Sequence, residues 1–242
     1  MKIRAALGFN LIDYPGKIAA VAFAPGCDYL CPACHAKPLL NEGALISEDD
    51  FLKYLDSVRR WVNGVVVCGG EPTLQRGLIR FMGRLKAAKL SVKLDTNGGS
   101  PDVLNRLLAE GLADYVAMDV KGPPALWANV AGRPGADEAA MLESMRVVVR
   151  FPDHEFRTTV VPVVRDSGEI SFLTAAEMAD TARLIVETTG VSDHKYFIQK
   201  FIPRKDGLLD KRLESFPETP PQLLEDIKKE VSVYLPNCRI RG

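Results

Sequence analysis

Short apolar runs alternate with longer amphipathic runs along most of this chain. The short runs are rich in β-branched side chains and indicate strands that are buried on both faces. They cover residues 18–24, 64–68, 90–95, 114–120, 155–164 and 196–201. The amphipathic runs, two of which start at the capping residues Ser47 and Thr174, predict helices over 47–61, 77–89, 101–110, 138–148, 174–190 and about 219–235. About six β-α units in strict alternation predict a parallel sheet with helices outside it.

Six strands are too few to close an eight-stranded barrel. We therefore expect a partial (β/α)6 TIM-like barrel, because right-handed crossovers curl such a sheet and leave one side open. The chemically active residues stand where predicted strands end: a cysteine loop follows the first strand, residues 69–71 follow the second, and residues 95–97 and 119–121 end the third and fourth. Since the carboxyl ends of parallel strands carry the active site in barrels of this kind, the four groups should meet on one rim.

The cysteine loop, over residues 25–38, contains Cys27, Cys31 and Cys34 in the spacing C-x3-C-x2-C. Three thiolates can hold three corners of a cubic [4Fe–4S] cluster and leave the fourth iron open, whereas clusters that only carry electrons are usually held by four cysteines. Zinc could instead bind the three cysteines and His35. Residues 31–35 also match the C-x-x-C-H motif of c-type haem attachment, although that attachment would require export.

The composition is that of an ordinary globular protein. The 242 residues are 47% hydrophobic and 26% charged, which is consistent with one domain over residues 1–242. Basic and acidic residues balance at 31 each, so net charge gives no sign of nucleic acid or an anionic membrane as a partner. No apolar run approaches about 18 residues, and Asn10 and Asp13 make the N-terminus a poor secretory signal. Five cysteines, three of them crowded together, fit a metal site in a reducing cytoplasm.

Taken together, the motifs resemble those of the radical S-adenosylmethionine (SAM) superfamily. The cysteine spacing over residues 27–34 is similar to the superfamily signature, and residues 69–72 (GGEP) are similar to its GGEP motif. Residues 95–98 (DTNG) and 118–121 (MDVK) resemble the DTNG motif and the D-x-K strand end of its activating enzymes. Residues 8–17 (GFNLIDYPGK) resemble, more narrowly, the activating proteins of anaerobic ribonucleoside-triphosphate reductase, which are relatives of the pyruvate formate-lyase activating enzymes.

The resemblance implies two cofactors, a [4Fe–4S] cluster on Cys27, Cys31 and Cys34, and S-adenosyl-L-methionine at its open iron. The implied cofactor-binding residues are Ala33, His35, Gly69, Gly70, Glu71, Asp95, Thr96, Asn97, Asp119 and Lys121. Asp95 and Asp119 end neighbouring strands and would repel each other unless a cation or a proton lay between them. The resemblance implies a monovalent cation near these two carboxylates. It also implies that His35 packs on the cluster or the adenine rather than binding iron.

The activity implied by the resemblance is reductive cleavage of SAM to a 5′-deoxyadenosyl radical. The radical would install a glycyl radical on a partner such as anaerobic ribonucleotide reductase, with electrons from a low-potential donor such as flavodoxin or ferredoxin. Two radical SAM alternatives stay open: a small-molecule enzyme similar to 7-carboxy-7-deazaguanine synthase, and action on another peptide. A zinc-stabilised binding module is the alternative of another class. The sequence assigns no catalytic residue and no role to Arg157, Gln199, Cys68 or Cys238, and it predicts structural roles for His154 and His194.

Overall fold

The computed structural model describes residues 1–40, 43–133 and 137–241. Its strands are β1 (Ala5–Asn10), β2 (Ala19–Ala24), β3 (Gly64–Gly69), β4 (Ser91–Thr96), β5 (Tyr115–Asp119), β6 (His154–Val160), β7 (Pro162–Val164), β8 (Ile170–Phe172), β9 (Tyr196–Lys200) and β10 (Cys238–Arg241). Its α-helices are α1 (Lys37–Leu40), α2 (Glu48–Val58), α3 (Leu78–Ala87), α4 (Pro101–Ala109), α5 (Trp127–Ala131), α6 (Glu138–Val148), α7 (Ala175–Thr189) and α8 (Pro221–Val231). In these ranges, no helix is both long enough and apolar enough to cross a membrane.

Eight of the strands form one sheet in the order β1-β2-β3-β4-β5-β6-β9-β10. All neighbours from β2 to β10 are parallel, whereas β1 runs antiparallel to β2. The two edge strands, β1 and β10, do not pair with each other, so the sheet stays open on one side. The prediction of a parallel sheet with outer helices and an unclosed barrel is confirmed.

The structure contains more strands than the hydrophobic pattern predicts. β1 and β10 extend the sheet at its edges, and β7 and β8 form a separate antiparallel hairpin. The predicted strand over 155–164 is broken at Val161, whose amide donates to the Thr159 carbonyl in a tight turn. The hydrophobic pattern does not predict the edge strands because they pair with a neighbouring strand along one edge alone. Their sequences therefore need not be uniformly apolar.

Each central strand is buried on both of its faces. Val65 and Val67 of β3 face the helices and belong to the large core between sheet and helices. Val66 faces the barrel interior, in a smaller cluster that includes Tyr14, Val21 and Tyr115. Burying one such side chain contributes about 1.5–3 kcal/mol relative to leaving it exposed. The strand ends that carry the motifs are therefore fixed by packing on two sides.

Local capping signals place the start of two helices. The Ser47 hydroxyl accepts the amide of Asp50 over 3.0 Å at the start of α2. Thr174 and Glu177 form a reciprocal capping box at the start of α7. Such a side-chain cap typically contributes about 1 kcal/mol.

Candidate active site at the rim of the barrel

A cavity of about 560 Å³ opens at the carboxyl ends of the central strands. It is lined by every residue that the sequence singled out for cluster or cofactor binding, namely Cys27, Cys31, Ala33, Cys34, His35, Gly69, Gly70, Glu71, Asp95, Thr96, Asn97, Asp119 and Lys121. The sheet thus brings four separate segments of the chain together, as their positions at strand ends predict. Their roles toward a cofactor stay predictions.

The three cysteines of the loop after β2 are free thiols that line this cavity. The backbone amide of Tyr29 donates to Cys27 Sγ, and the amide of Ala36 donates to Cys34 Sγ, each over 3.4 Å. Hydrogen bonds of this kind to cysteine sulfur tune the potential of iron–sulfur clusters. Burial raises the pKa of the Cys27 thiol to about 12. Bound iron would deprotonate such a thiol outright, so the donor set fits a cluster.

The zinc alternative would need His35 beside the three cysteines. Within the described ranges, no group of three or more His, Cys, Asp or Glu side chains is spaced to hold one metal ion. The His35 ring instead packs against Phe201, with ring centroids 5.8 Å apart. Its Nε2 is buried without a hydrogen-bond partner among the described residues, and burial lowers its pKa. Because buried polar atoms are nearly always paired, this nitrogen marks a place for a polar group of a ligand.

Gly69 and Gly70, at the end of β3, lie against the backbone of the cysteine loop. Gly69 has a φ of +122°, a conformation that favours glycine. A Cβ on Gly70 would overlap the carbonyl of Gly26, and the Glu71 amide donates to that same carbonyl over 2.7 Å. The resemblance described above implies that both glycines bind the cofactor. The structure adds a second requirement, which is the close approach of the cysteine-loop backbone.

Glu71 ties the GGEP turn to the end of β4. Its carboxylate accepts the Thr73 hydroxyl (2.6 Å), the Thr96 hydroxyl (2.9 Å) and the backbone amide of Asn97 (2.7 Å). Burial raises the pKa of this carboxyl, and the hydrogen bonds oppose that rise. These protein donors take up most of its acceptor capacity, so Glu71 holds the two turns of the rim together.

Asp95 and Asp119 end the neighbouring strands β4 and β5, and Arg157 from β6 lies between their carboxylates. Its Nη1 donates to Asp95 Oδ2 over 3.0 Å, and its Nε donates to Asp119 Oδ1. Arg157 stands directly opposite Asp119 in the register of β5 and β6. The repulsion that the sequence predicts is thus relieved by a guanidinium. A monovalent cation beside these carboxylates stays a prediction.

Two lysines complete this charged group. Lys93 Nζ donates to Asp95, and Lys121 Nζ donates to Asp119 Oδ2 over 3.0 Å. Burial alone would raise the pKa of both carboxyls, but Arg157 and the lysines hold each pKa below its usual value. The three cations exceed the two carboxylates by one positive charge. That excess beside the cavity suits the carboxylate of a bound ligand.

Arg157 is the site residue that sequence reasoning left without a role. It points into the barrel because of its register on β6, and it lines the cavity. The available signal was a permanently charged residue inside a run that otherwise reads as a buried strand. Such a residue needs a buried partner, and the aspartates at the preceding strand ends supply two.

The remaining unassigned residues lie at different depths of the fold. Cys68 lines the cavity, and burial raises its pKa well above the usual value. The side-chain oxygen of Gln199 accepts the Thr159 hydroxyl over a long 3.4 Å. Cys238 is buried on β10 with its Sγ 3.3 Å from Ser232 Oγ, on the helix-facing side of the sheet. His154 and His194, expected to be structural, contact each other over 3.1 Å at the amino-terminal side of the sheet.

Two sequence relatives match this chain over different lengths. A protein of Methanocaldococcus jannaschii, provisionally named a glycyl-radical enzyme activating enzyme, is 29% identical over 99% of this chain and 95% of its own length. The pyruvate formate-lyase-activating enzyme of Listeria monocytogenes is 32% identical over 50% of this chain and 53% of its own length.

Solved structures with a similar fold have little sequence in common with this chain. Streptococcus suis SuiB, bound to its precursor peptide SuiA, has a TM-score of 0.67 at 11% identity, over 92% of this chain and 48% of SuiB. Archaeal TYW1 has a TM-score of 0.54 at 11% identity, over 89% of this chain and 72% of TYW1. At such low identity the likeness shows the fold alone. The family model of the radical SAM superfamily matches residues 21–179. This range includes all four groups at the strand ends, the cysteine loop among them, and the chain therefore belongs to that superfamily.

Proposed function

We propose that this radical SAM enzyme installs a glycyl radical on a partner enzyme. The observation that carries the proposal is the M. jannaschii relative, which aligns over nearly the whole of both chains and is named for that activity. The pyruvate formate-lyase-activating relative from Listeria supports it over half of the chain. The unclosed sheet agrees with it, because a polypeptide substrate needs access that a closed barrel would deny.

Family membership implies a [4Fe–4S] cluster and SAM, and the proposed cluster ligands are Cys27, Cys31 and Cys34. When bound, these groups supply one-electron cleavage of a carbon–sulfur bond of SAM, which yields methionine and a 5′-deoxyadenosyl radical that can take a hydrogen atom from a glycine Cα. The electron would come from a low-potential donor of the flavodoxin or ferredoxin kind.

The protein's own residues would hold SAM at both of its ends. Arg157 and Lys121 would bind the carboxylate, and the backbone of Gly69 and Gly70 would face the amino group. The unpartnered Nε2 of His35 would meet the adenosine end. Binding at separate points fixes the geometry of the reacting bond and displaces water from the cavity, which are the main contributions that a protein makes to cofactor chemistry.

The test is an anaerobic assay of the reconstituted enzyme. The protein would receive iron, sulfide, reductant and SAM, with and without a purified anaerobic ribonucleotide reductase. We expect 5′-deoxyadenosine by chromatography and a glycyl radical signal by electron paramagnetic resonance. A partner variant whose target glycine is replaced by alanine serves as the control and should give no signal. Formation of 5′-deoxyadenosine at the same rate without the partner, and with no glycyl signal at any stage, would contradict the proposal.

A further inference from the structure

Large exposed apolar side chains are concentrated at the N-terminal edge of the sheet. Leu7, Phe9, Leu11 and Ile12 are 47%, 56%, 74% and 82% exposed. We call these four side chains the apolar strip. Contiguous exposed apolar surface of this kind marks interaction sites in soluble proteins.

The apolar strip continues the wall of the reaction cavity. Ala5 of β1 lies opposite Phe23 of β2, and both residues line that cavity. Leu7 lies opposite Val21, which belongs to the inner cluster of the barrel. A Cβ on Gly8 would overlap the hydroxyl of Tyr54 on α2, so Gly8 faces the helix layer.

Leu7 therefore faces the barrel interior together with Val21, and the pairing of β1 with β2 is irregular between Leu7 and Asn10. The exposure of the four strip residues rises steadily with distance from Ala5. The apolar strip therefore extends from the cavity to the protein surface on the side where the sheet is open.

The outer end of the apolar strip is held in a fixed shape. The Asn10 side-chain oxygen accepts the amides of Ile12 (2.8 Å) and Asp13 (2.7 Å), and Asn10 Nδ2 donates to the Asp13 carboxylate over 2.8 Å. Tyr14, immediately after this turn, is buried in the inner cluster. Leu11 and Ile12 are thus presented to solvent by an ordered turn.

The backbone of β1 offers a second binding element. β1 is the first strand of the sheet order, and among the described residues the pairing on its outer side is the isolated bridge between Ile3 and Ile46. Ala5–Asn10 therefore has no strand along its outer edge in the described part of the chain. A free edge of this kind can take up an extended peptide as an additional strand.

We infer that the outer edge of β1 and the apolar strip bind an extended, apolar segment of the partner enzyme next to its target glycine. This inference rests on the proposed activating function. Backbone pairing along β1 would fix the register of the segment, and its apolar side chains would cover the exposed side chains of Leu7 and Phe9. The target glycine of the bound segment would then lie at the Ala5 end of β1, where the cavity begins.

The experiment compares wild type with the double variant Phe9→Ser/Leu11→Ser. Val233→Ser is the matched control, since Val233 is 75% exposed just after α8 and outside the apolar strip. Glycyl radical formation on anaerobic ribonucleotide reductase would be measured against partner concentration, and 5′-deoxyadenosine would be measured without partner. Hydrogen exchange of the wild-type enzyme would be followed with a synthetic peptide of the partner's glycyl loop. Light scattering would report the oligomeric state.

We expect the double variant to raise the KM for the partner at least tenfold, while partner-free 5′-deoxyadenosine formation stays within twofold of wild type. A tenfold change corresponds to about 1.4 kcal/mol of lost binding. The peptide should slow amide exchange over residues 5–12. Val233→Ser should behave as wild type does.

Three outcomes would overturn the inference. If wild type makes the glycyl radical but the double variant has an unchanged KM and the peptide protects no amide in 5–12, the docking site is elsewhere and the activating function stands. If wild type forms a dimer that the double variant dissociates, a second copy covers the apolar strip. If wild type forms no glycyl radical on the partner, the proposed function fails and the docking inference falls with it.

Discussion

Two networks of buried charges are built on β6, but their charges are paired in different ways. On the first residues of β6, Glu155 is fully buried and accepts hydrogen bonds from Arg241 Nη1 (2.9 Å) and Nη2 (3.1 Å) and from the Tyr115 hydroxyl (2.7 Å). Two residues further along the same strand, Arg157 bridges Asp95 and Asp119 beside an open cavity.

The comparison separates a structural network from a binding site. The carboxylate of Glu155 is fully paired with donors of the protein itself, namely Arg241 and Tyr115. The Arg157 network has one more positive than negative charge. It borders the cavity that the three cysteine thiols line, together with His35, whose Nε2 has no hydrogen-bond partner among the described residues. Charged clusters with perturbed pKa values in a cleft are typical of functional sites, whereas closed ion pairs mainly specify the fold.

The largest expected effect lies at the rim, in the change Cys31→Ala. Removing one of three candidate ligands should abolish the cluster absorbance and all SAM cleavage, because the cluster would lose one of its protein anchors. Iron and sulfide content and 5′-deoxyadenosine formation are the measurements. Cys238→Ala is the control, since that buried thiol contacts Ser232 on the helix side of the sheet and should leave both signals intact. The opposite pattern would refute the ligand assignment.

Arg157→Met should have the next largest effect, because it leaves two buried carboxylates without their shared cation. We expect SAM cleavage to fall at least tenfold, and the free energy of unfolding at pH 7 to fall by roughly 2–4 kcal/mol. The pKa of Asp95 and of Asp119 is lowered in the folded protein, so their contribution is present above the unfolded value of about 3.9 and is lost as pH falls through the lower folded value. Urea unfolding at pH 7 and pH 3 should therefore show the variant approaching wild type at the lower pH.

Glu155→Gln tests the Glu155 network, the second of the two that are compared. The variant weakens the closed network with Arg241, and we expect a loss of roughly 2 kcal/mol in unfolding free energy. SAM cleavage measured below the melting temperature should stay within twofold of wild type. Equal losses of SAM cleavage in the Arg157 and Glu155 variants would show that the two networks act as one unit.

The smallest expected effect concerns His154, the first residue of β6. Burial and the neighbouring His194 lower its pKa to about 4. Between this value and the unfolded value of about 6.5, the unfolded chain binds the extra proton, so stability falls as pH falls through that window. We expect wild type to lose roughly 1–2 kcal/mol more than His154→Phe between pH 7.5 and pH 5, measured by urea unfolding. Equal losses in the two proteins would count against a buried neutral His154.

The sequence predicted most of the rim because the signals are local. Cys27, Gly69, Asp95 and Asp119 each stand at the end of a recognisable strand, and parallel topology alone brings such ends together. Arg157 lies in the middle of a predicted strand, where one residue of register decides whether a side chain faces the barrel or the helices. The sequence could therefore show that it is charged but could not place it between two aspartates.

The sequence by itself determined the order of the six central strands and of the longer helices, the open parallel sheet and the meeting of four motifs on one rim, since these follow from periodicity and from the direction of the strands. Only the tertiary structure decided which neighbours those motifs have. The Arg157 bridge, the Gly70 contact with Gly26 and the strand β1 beside the cavity all depend on pairing between distant segments. Such pairing is set by the packing of the whole sheet, which no short stretch of sequence encodes.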